Sequence, residues 1–143
     1  MLSPPNVRIM IVEDDVLLAL DLADTLRNAG LIILGPFGSV EEALVAVGAD
    51  RPEVAVLDID LNGSLSFPVA DALAAANVPF LWLSASSPDV VPAVHQSRPF
   101  FEQTFCGSCA FACSARACQN LVRRSERRQA GTVPCPGGCQ SSP

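Results

Sequence analysis

The chain contains no lysine, so all nine of its basic residues are arginines. It also lacks tyrosine and has one tryptophan and one histidine. Its apolar runs fall short of the roughly 18 residues that a membrane-spanning helix needs. The N-terminus has no basic patch followed by an apolar stretch, which is the pattern of a secretory signal. We therefore expect neither a membrane segment nor export, and we predict a cytoplasmic protein.

Two halves of unlike composition make up the 143 residues. Residues 1–95 carry thirteen acids against three arginines and have no cysteine. Residues 96–143 carry two acids against six arginines and hold all six cysteines. Half of the whole chain is hydrophobic, which is typical of a folded domain. We therefore predict one domain over residues 7–95 and an atypical tail, rich in Cys, Arg and Pro, over residues 96–143.

Short apolar runs alternate with helical patterns through the first half. The runs predict strands at residues 8–12, 31–34, 53–57 and 79–83. Helices are predicted between them, over residues 16–29, 39–47 and 69–76; Ser39 and Glu42 form a capping box for the second. This alternation is typical of a doubly wound α/β fold with a parallel sheet.

Polar side chains follow three of the predicted strands. Glu13 and Asp14 follow the first strand, Asp58 follows the third, and Ser84 ends the fourth. Parallel strands end at one edge of the sheet, so these side chains should lie together. Clustered carboxylates call for a cation, and Mg²⁺ prefers hard oxygen ligands. A carboxylate beside Mg²⁺ can attack a phosphoryl group; the alternative is that these acids are solvated or cap helices.

The order of these motifs resembles the receiver domains of two-component response regulators. Ile11 to Asp15 is similar to the family's acidic pair after strand one, and Val56 to Leu61 to its phospho-acceptor strand. Leu83-Ser84-Ala85 is similar to its hydroxyl motif. The stretch from Asp58 to Leu73 resembles a mostly stand-alone alphaproteobacterial subgroup.

This resemblance implies a flavodoxin-like receiver fold and a role in phosphorelay signalling. Asp58 would accept a phosphoryl group, and Ser84 would be the switch hydroxyl. Glu13, Asp14, Asp58 and the main-chain carbonyl of Asp60 would bind Mg²⁺. The implied partners are a histidine kinase or phosphotransfer protein and a downstream protein. The module would phosphorylate itself as a switch and would not be an enzyme.

The second half departs from the family. Receivers have a fifth strand ending in Lys-Pro and then a fifth helix, but the Lys-Pro position falls on Gln103-Thr104 here. The helix position begins at Cys106 and shows no apolar helical stripe. We therefore expect the fifth strand and helix to be missing or degraded, and the tail to be disordered or frameshifted.

Several explanations of the tail remain open. Cys106, Cys109, Cys135 and Cys139 have loosely plausible zinc spacing, although two further cysteines are left unexplained. A disulfide-rich tail is disfavoured in a reducing cytoplasm. The pairs Arg123-Arg124 and Arg127-Arg128 favour binding to nucleic acid. Such charged runs are usually only solvated, so we expect no nucleic-acid partner. Codons for Phe and Cys begin with T, and every codon with T as its middle base encodes an apolar residue. A frame shift that moves this T to the middle position therefore turns these steps of the tail into apolar residues. A shifted reading frame thus accounts best for the missing fifth strand and helix.

An enzyme is the alternative function for the domain. Phosphatases of the haloacid dehalogenase type use a strand-end Asp nucleophile, Mg²⁺ and an Asp-x-Asp-x-Thr motif. Asp58 and Asp60 supply the Asp-x-Asp, but Asn62 stands where Thr is wanted. The motif here also follows the third strand, whereas in those enzymes it follows the first.

Overall fold

The computed structural model describes residues 7–102 and residue 120. Seven strands are present in the described residues: β1 Arg8–Val12, β2 Ile32–Phe37, β3 Val54–Leu57, β4 Asp60–Leu61, β5 Ser64–Leu65, β6 Phe80–Ser84 and β7 Phe100–Glu102. The helices are α1 Val16–Asn28, α2 Val40–Ala49 and α3 Phe67–Ala75. Two single 3-10 turns, Pro88–Val90 and Ala93–His95, lie between β6 and β7. No helix of the described part is long and apolar enough to cross a bilayer.

Five of the strands form one parallel sheet in the order β2-β1-β3-β6-β7. The remaining two, β4 and β5, form a small antiparallel hairpin directly after β3. The positive φ angles of Asn62 and Gly63 make the tight turn of this hairpin. The doubly wound parallel fold predicted from the sequence is confirmed.

Alternating strand residues build a core on each face of the sheet. On one face, α1 packs Leu22, Ala23 and Leu26 against side chains such as Ile9 and Leu81. On the other face, α2 and α3 cover a second set, listed here by strand: Met10 and Val12, Ala55 and Leu57, Phe80 and Trp82. Both faces are buried, so the strands carry nearly continuous apolar sequence.

The helix boundaries follow from their caps. Asp15 caps α1, its carboxylate accepting from the amides of Leu17 and Leu18 at 3.0 and 3.2 Å. The predicted Ser39 cap is confirmed, because its hydroxyl accepts from the Glu42 amide at 3.2 Å. Acids placed after β1 therefore also begin α1.

The fifth strand is present, so the expectation that it is missing is wrong. β7 pairs in parallel with β6, with Ser84 opposite Glu102. Its aromatic residues Phe100 and Phe101 pack onto opposite faces of the sheet, which favours pairing despite the atypical sequence that follows. The strand lies beyond residue 95, where the sequence suggested that the domain ends. The predicted fifth-helix position, Gln103-Thr104 and the cysteines lie outside the described residues.

Two details of the first half also differ from expectation. The second strand continues through Gly35-Pro36 to Phe37, because it is an edge strand that tolerates proline. In α1 the apolar residues Val16, Leu17 and Leu20 are exposed, although they share a helical spacing with the buried residues Ala23 and Leu26. The buried stripe is instead Ala19, Leu22, Ala23 and Leu26.

Candidate functional site

Three carboxylates meet at the carboxyl ends of β1 and β3. One ligand oxygen each from Glu13, Asp14 and Asp58 lies within 4.8 Å of the other two. We call this cluster the acidic rim. The parallel pairing of β1 and β3 produces it, because Val12 lies opposite Leu57 and both strands end there. The predicted juxtaposition of these three acids is therefore present in the structure.

Glu13 and Asp14 are held by backbone amides on either side of the rim. Glu13 is 6% exposed, and its carboxylate accepts from the Asp15 amide at 3.1 Å. The Asp14 carboxylate accepts from the Asn62 amide at 3.1 Å. The turn between β4 and β5 thus orients the Asp14 side chain, which follows β1.

Asp58 lies at the centre of the rim and is only partly buried. Its Oδ1 accepts from the Ile59 amide at 2.7 Å. Burial raises the pKa of the Asp58 carboxyl above its ordinary value, and the charge of Asp14 adds to the rise. Hydrogen bonding with Ser84, Glu13 and the Ile59 amide acts on this pKa in the opposite direction. The net rise means that ionising Asp58 costs free energy unless a cation is close.

Ser84 ends β6 at the same edge of the sheet, beside β3. Its residue is 1% exposed, and its hydroxyl oxygen accepts from the Ser86 amide at 3.2 Å. The hydroxyl is close enough to Asp58 to lower the pKa of that carboxyl. The structure therefore brings the fourth predicted polar group next to the central carboxylate.

The side chain of Asp60 does not join the acidic rim. It is exposed, and its Oδ1 accepts from the Gly63 amide at 2.7 Å, which closes the hairpin turn. The main-chain carbonyl of Asp60, which the resemblance implied as a ligand, belongs to the residue that begins β4. The second carboxylate of the Asp-x-Asp pair therefore lies in the hairpin turn and not in the acidic rim.

Two residues of the site were not predicted from the sequence. Asn62 appeared only as part of a loop, but its amide binds Asp14. Ser66 is fully buried and its hydroxyl donates to the Asp58 carbonyl, although it occupies the N-cap position of α3 and makes no capping bond. A serine just before a helix usually caps that helix. Nothing in the sequence therefore indicates that Ser66 donates to the Asp58 carbonyl instead.

No arginine of residues 7–102 reaches the acidic rim. Arg8 begins β1 and donates to the Arg51 carbonyl, at the amino edge of the sheet. Arg27 lies in the last turn of α1, which runs back toward that edge, and pairs with Asp24. Arg98 lies over the ring of Phe80, the first residue of β6. These three arginines therefore lie away from the edge at which the rim carboxylates meet.

Comparisons with known proteins place these features in a family context. No protein-family model matches the chain. The chain is 30% identical over 81 residues to the transcriptional regulatory protein PdtaR of Mycobacterium tuberculosis, a match covering 56% of this chain and 40% of PdtaR. The chain thus spans less than half the length of the curated relatives that it matches.

Solved structures match over nearly their whole length. SdrG from Sphingomonas melonis Fr1 is 30% identical with a TM-score of 0.68, covering 85% of this chain and 99% of SdrG. The BeF3-activated conformation of SdrG, from Pseudomonas melonis Fr1, is 33% identical with a TM-score of 0.61, covering 80% and 98%. The signal receiver domain of a modulated diguanylate cyclase from Desulfovibrio desulfuricans G20 is 24% identical with a TM-score of 0.69, covering 85% and 98%. That last likeness concerns the fold alone.

Proposed function

This chain belongs to the signal receiver domains of response regulators, and from that premise we propose that Asp58 accepts a phosphoryl group in a Mg²⁺-dependent reaction. The donor is a phosphohistidine on a histidine kinase or a phosphotransfer protein. The phosphorylated domain signals to a downstream protein, and both steps take place in the cytoplasm. The single observation that carries the proposal is the acidic rim, with Asp58 at its centre.

The donor set of the rim fits Mg²⁺. Glu13, Asp14 and Asp58 offer three carboxylate oxygens within 4.8 Å of one another, and Mg²⁺ prefers such hard ligands. These three side chains would hold the ion, together with the carbonyl of Asp60. When bound, Mg²⁺ would neutralise charge on the oxygens of the transferring phosphoryl group. The raised pKa of Asp58 supports this, because the carboxylate is poorly stabilised by its own surroundings.

Asp58 is suited to act as the nucleophile. The Ile59 amide holds its Oδ1 at 2.7 Å and so fixes the plane of the carboxylate. A carboxylate oxygen forms the new bond to phosphorus while the P–N bond of the phosphohistidine breaks. The electron pair of that bond returns to the imidazole nitrogen, which takes a proton from water. The product is an acyl phosphate on Asp58.

Ser84 is suited to read the new phosphate. Its hydroxyl is buried beside Asp58 and is engaged by the Ser86 amide at 3.2 Å. We propose that the hydroxyl turns and donates to a phosphate oxygen, which releases the Ser86 amide. The loop after β6 would then rearrange, and its new conformation is what the downstream protein recognises.

Labelling with acetyl phosphate and Mg²⁺ tests the proposal. The wild-type chain should take up one phosphate that is stable in acid and labile in base, and Asp58→Asn should abolish the label. Asp60→Asn is the matched control, because it removes an equal charge two residues away and should keep the label. Label that survives Asp58→Asn would refute the assignment. Steady hydrolysis of a phosphate ester over many turnovers would favour the phosphatase alternative.

A further inference from the structure

A cavity of about 220 Å³ lies beside Trp82, and its described lining includes none of the three rim carboxylates. The chain between β6 and β7 bounds it with two 3-10 turns, and Phe100 of β7 closes another side. Val91 adds an apolar wall, while the polar groups of the lining are Asp89, His95, Gln96 and Arg98. We call this the Trp82 cavity. Its chemistry differs from that of the rim, because Arg98 is among its lining residues whereas three carboxylates form the rim.

Arg98 is a cation without a paired anion in the described residues. Its guanidinium carbon lies 4.5 Å from the centre of the Phe80 ring, and the side chain is partly buried. Within residues 7–102, Arg27 forms an ion pair with Asp24 and His95 lies within hydrogen-bond distance of Asp71, and neither contact includes Arg98. Burial lowers the pKa of Arg98, which reflects water lost without a carboxylate gained. Stacking on a ring occupies one face of the guanidinium and leaves its N–H donors for an anion.

His95 offers a second polar group with an open hydrogen-bonding position. The residue is 2% exposed, and its Nε2 lies 2.7 Å from Oδ1 of Asp71 on α3. Its Nδ1 is buried and has no hydrogen-bond partner among the described residues. In the tautomer whose Nε2 donates to the Asp71 carboxylate, Nδ1 carries a lone pair that can accept a hydrogen bond. Buried polar atoms normally have a hydrogen-bond partner, so we expect a ligand in the cavity to place a donor beside Nδ1.

Aromatic groups surround both polar positions. Trp82 is 1% exposed, and its ring meets those of Phe80 and His95 edge-on at centroid distances of 5.5 and 6.5 Å. Trp82 and Phe100 both line the cavity. Apolar lining with a few polar groups is the usual composition of a small-molecule site.

We propose that the Trp82 cavity binds a small carboxylate that carries an aromatic ring and a neighbouring hydroxyl. The carboxylate pairs with Arg98, the ring lies against Trp82 and Phe100, and the hydroxyl donates to Nδ1 of His95. The charge, the ring and the hydroxyl of this ligand thus each have a complementary group in the lining. The ligand is a free small molecule, since the cavity is large enough for one ring with its polar group.

Three probes separate these contributions: 3-phenyllactate, 3-phenylpropionate and 3-phenylpropionamide. Fluorescence of Trp82, the only tryptophan of the chain, reports binding, and calorimetry measures the affinity. We expect 3-phenyllactate to bind with a Kd of about 1 mM or tighter. We expect the amide to bind about tenfold more weakly than 3-phenylpropionate, which is the usual size of a charge-assisted hydrogen bond. Removing the hydroxyl should weaken binding by roughly threefold.

Variants of the arginines provide the matched controls. Arg98→Gln should remove the preference for carboxylate over amide, and Arg98→Lys should keep part of it if the glutamine variant does not fold. Arg27→Gln removes an equal charge from an exposed, paired position and should leave binding unchanged. His95→Gln should remove the preference for 3-phenyllactate over 3-phenylpropionate. Equal affinity for acid and amide, or no binding of 3-phenyllactate at about 10 mM, would overturn the proposal.

Discussion

The two edges of the parallel sheet differ in the sign of the charged side chains that they carry. At the carboxyl edge, the carboxylates of Glu13, Asp14 and Asp58 lie together. Toward the amino edge, Arg98 stacks on Phe80 and pairs with no described carboxylate. One edge is therefore suited to a cation, and the other to an anion.

This difference follows from strand direction. All five strands of the sheet run the same way, so a residue just after a strand and one just before it lie at opposite edges. The acids follow β1 and β3, whereas Arg8 begins β1 and Arg98 precedes β7. The position of a charge relative to its strand thus decides which ligand it can meet.

Trp82 lies in β6, between the carboxyl and amino edges of the sheet. Its removal should have the largest effect on the free energy of unfolding. Its side chain is 1% exposed and packs against the rings of Phe67, Phe80 and His95. Trp82→Ala should lower the free energy of unfolding by about 3–5 kcal/mol, because it leaves a large cavity. Circular dichroism during thermal unfolding measures the change. Trp82→Phe, which keeps a ring, should lose less; a loss below about 1 kcal/mol for the alanine variant would contradict the packing described.

Loss of one rim carboxylate should have the next largest effect. Asp14→Asn should weaken Mg²⁺ binding by roughly 30-fold, or about 2 kcal/mol, because one charged ligand is lost. The asparagine oxygen can still accept from the Asn62 amide, so the hairpin should stay in place. Magnesium titration followed by Trp82 fluorescence measures the affinity.

Asp15→Asn is the matched control for that experiment. It removes the same charge from the next residue, whose carboxylate caps α1, and asparagine caps helices equally well. Mg²⁺ affinity should change by less than about threefold. If the Asp15 variant loses as much affinity as the Asp14 variant, general charge and not a built site governs binding.

The smallest effect is expected from neutralising Asp58 without metal. The pKa of Asp58 is raised in the folded protein, chiefly by burial, so the folded state holds the proton more tightly than the unfolded state. Stability should therefore fall as pH rises through that raised pKa. At pH 7 in EDTA, Asp58→Asn should be more stable than wild type by about 0.5–1 kcal/mol after allowance for solvent screening.

The pH profile distinguishes this cause from others. The advantage of Asp58→Asn should shrink as the pH falls below the raised pKa, where the wild-type carboxyl is protonated. Mg²⁺ should reverse the order of the two proteins at pH 7, since only wild type binds it well. An advantage of the variant that persists unchanged at low pH would exclude ionisation of Asp58 as its cause.

The sequence predicts the parts of the site that depend on strand ends. The runs ending before Glu13 and Asp58 and at Ser84 are continuous and apolar, and all three strands end where the sequence indicates. Buried parallel strands are recognisable because neither face can hold polar residues. The juxtaposition of the rim carboxylates then follows from topology alone.

Other parts depend on contacts that no local pattern contains. The amide of Asn62 reaches Asp14 across 48 residues of sequence, and a backbone donor leaves no mark on residue type. The strand β7 was not expected, because its sequence is followed by an atypical tail. It pairs with β6 through backbone bonds that any residues can make. The exposed apolar residues of α1 illustrate that spacing predicts a helix more reliably than it predicts which face is buried.

Chemical trapping of the phosphorylated residue tests the central claim most directly. After incubation with acetyl phosphate and Mg²⁺, reduction with borohydride converts an aspartyl phosphate into homoserine, which peptide mass spectrometry locates in the sequence. We predict homoserine at position 58 alone, and only when both reagents are present. Homoserine at position 14 or 60, or none at any position in a folded sample, would contradict the assignment of Asp58 as the phospho-acceptor.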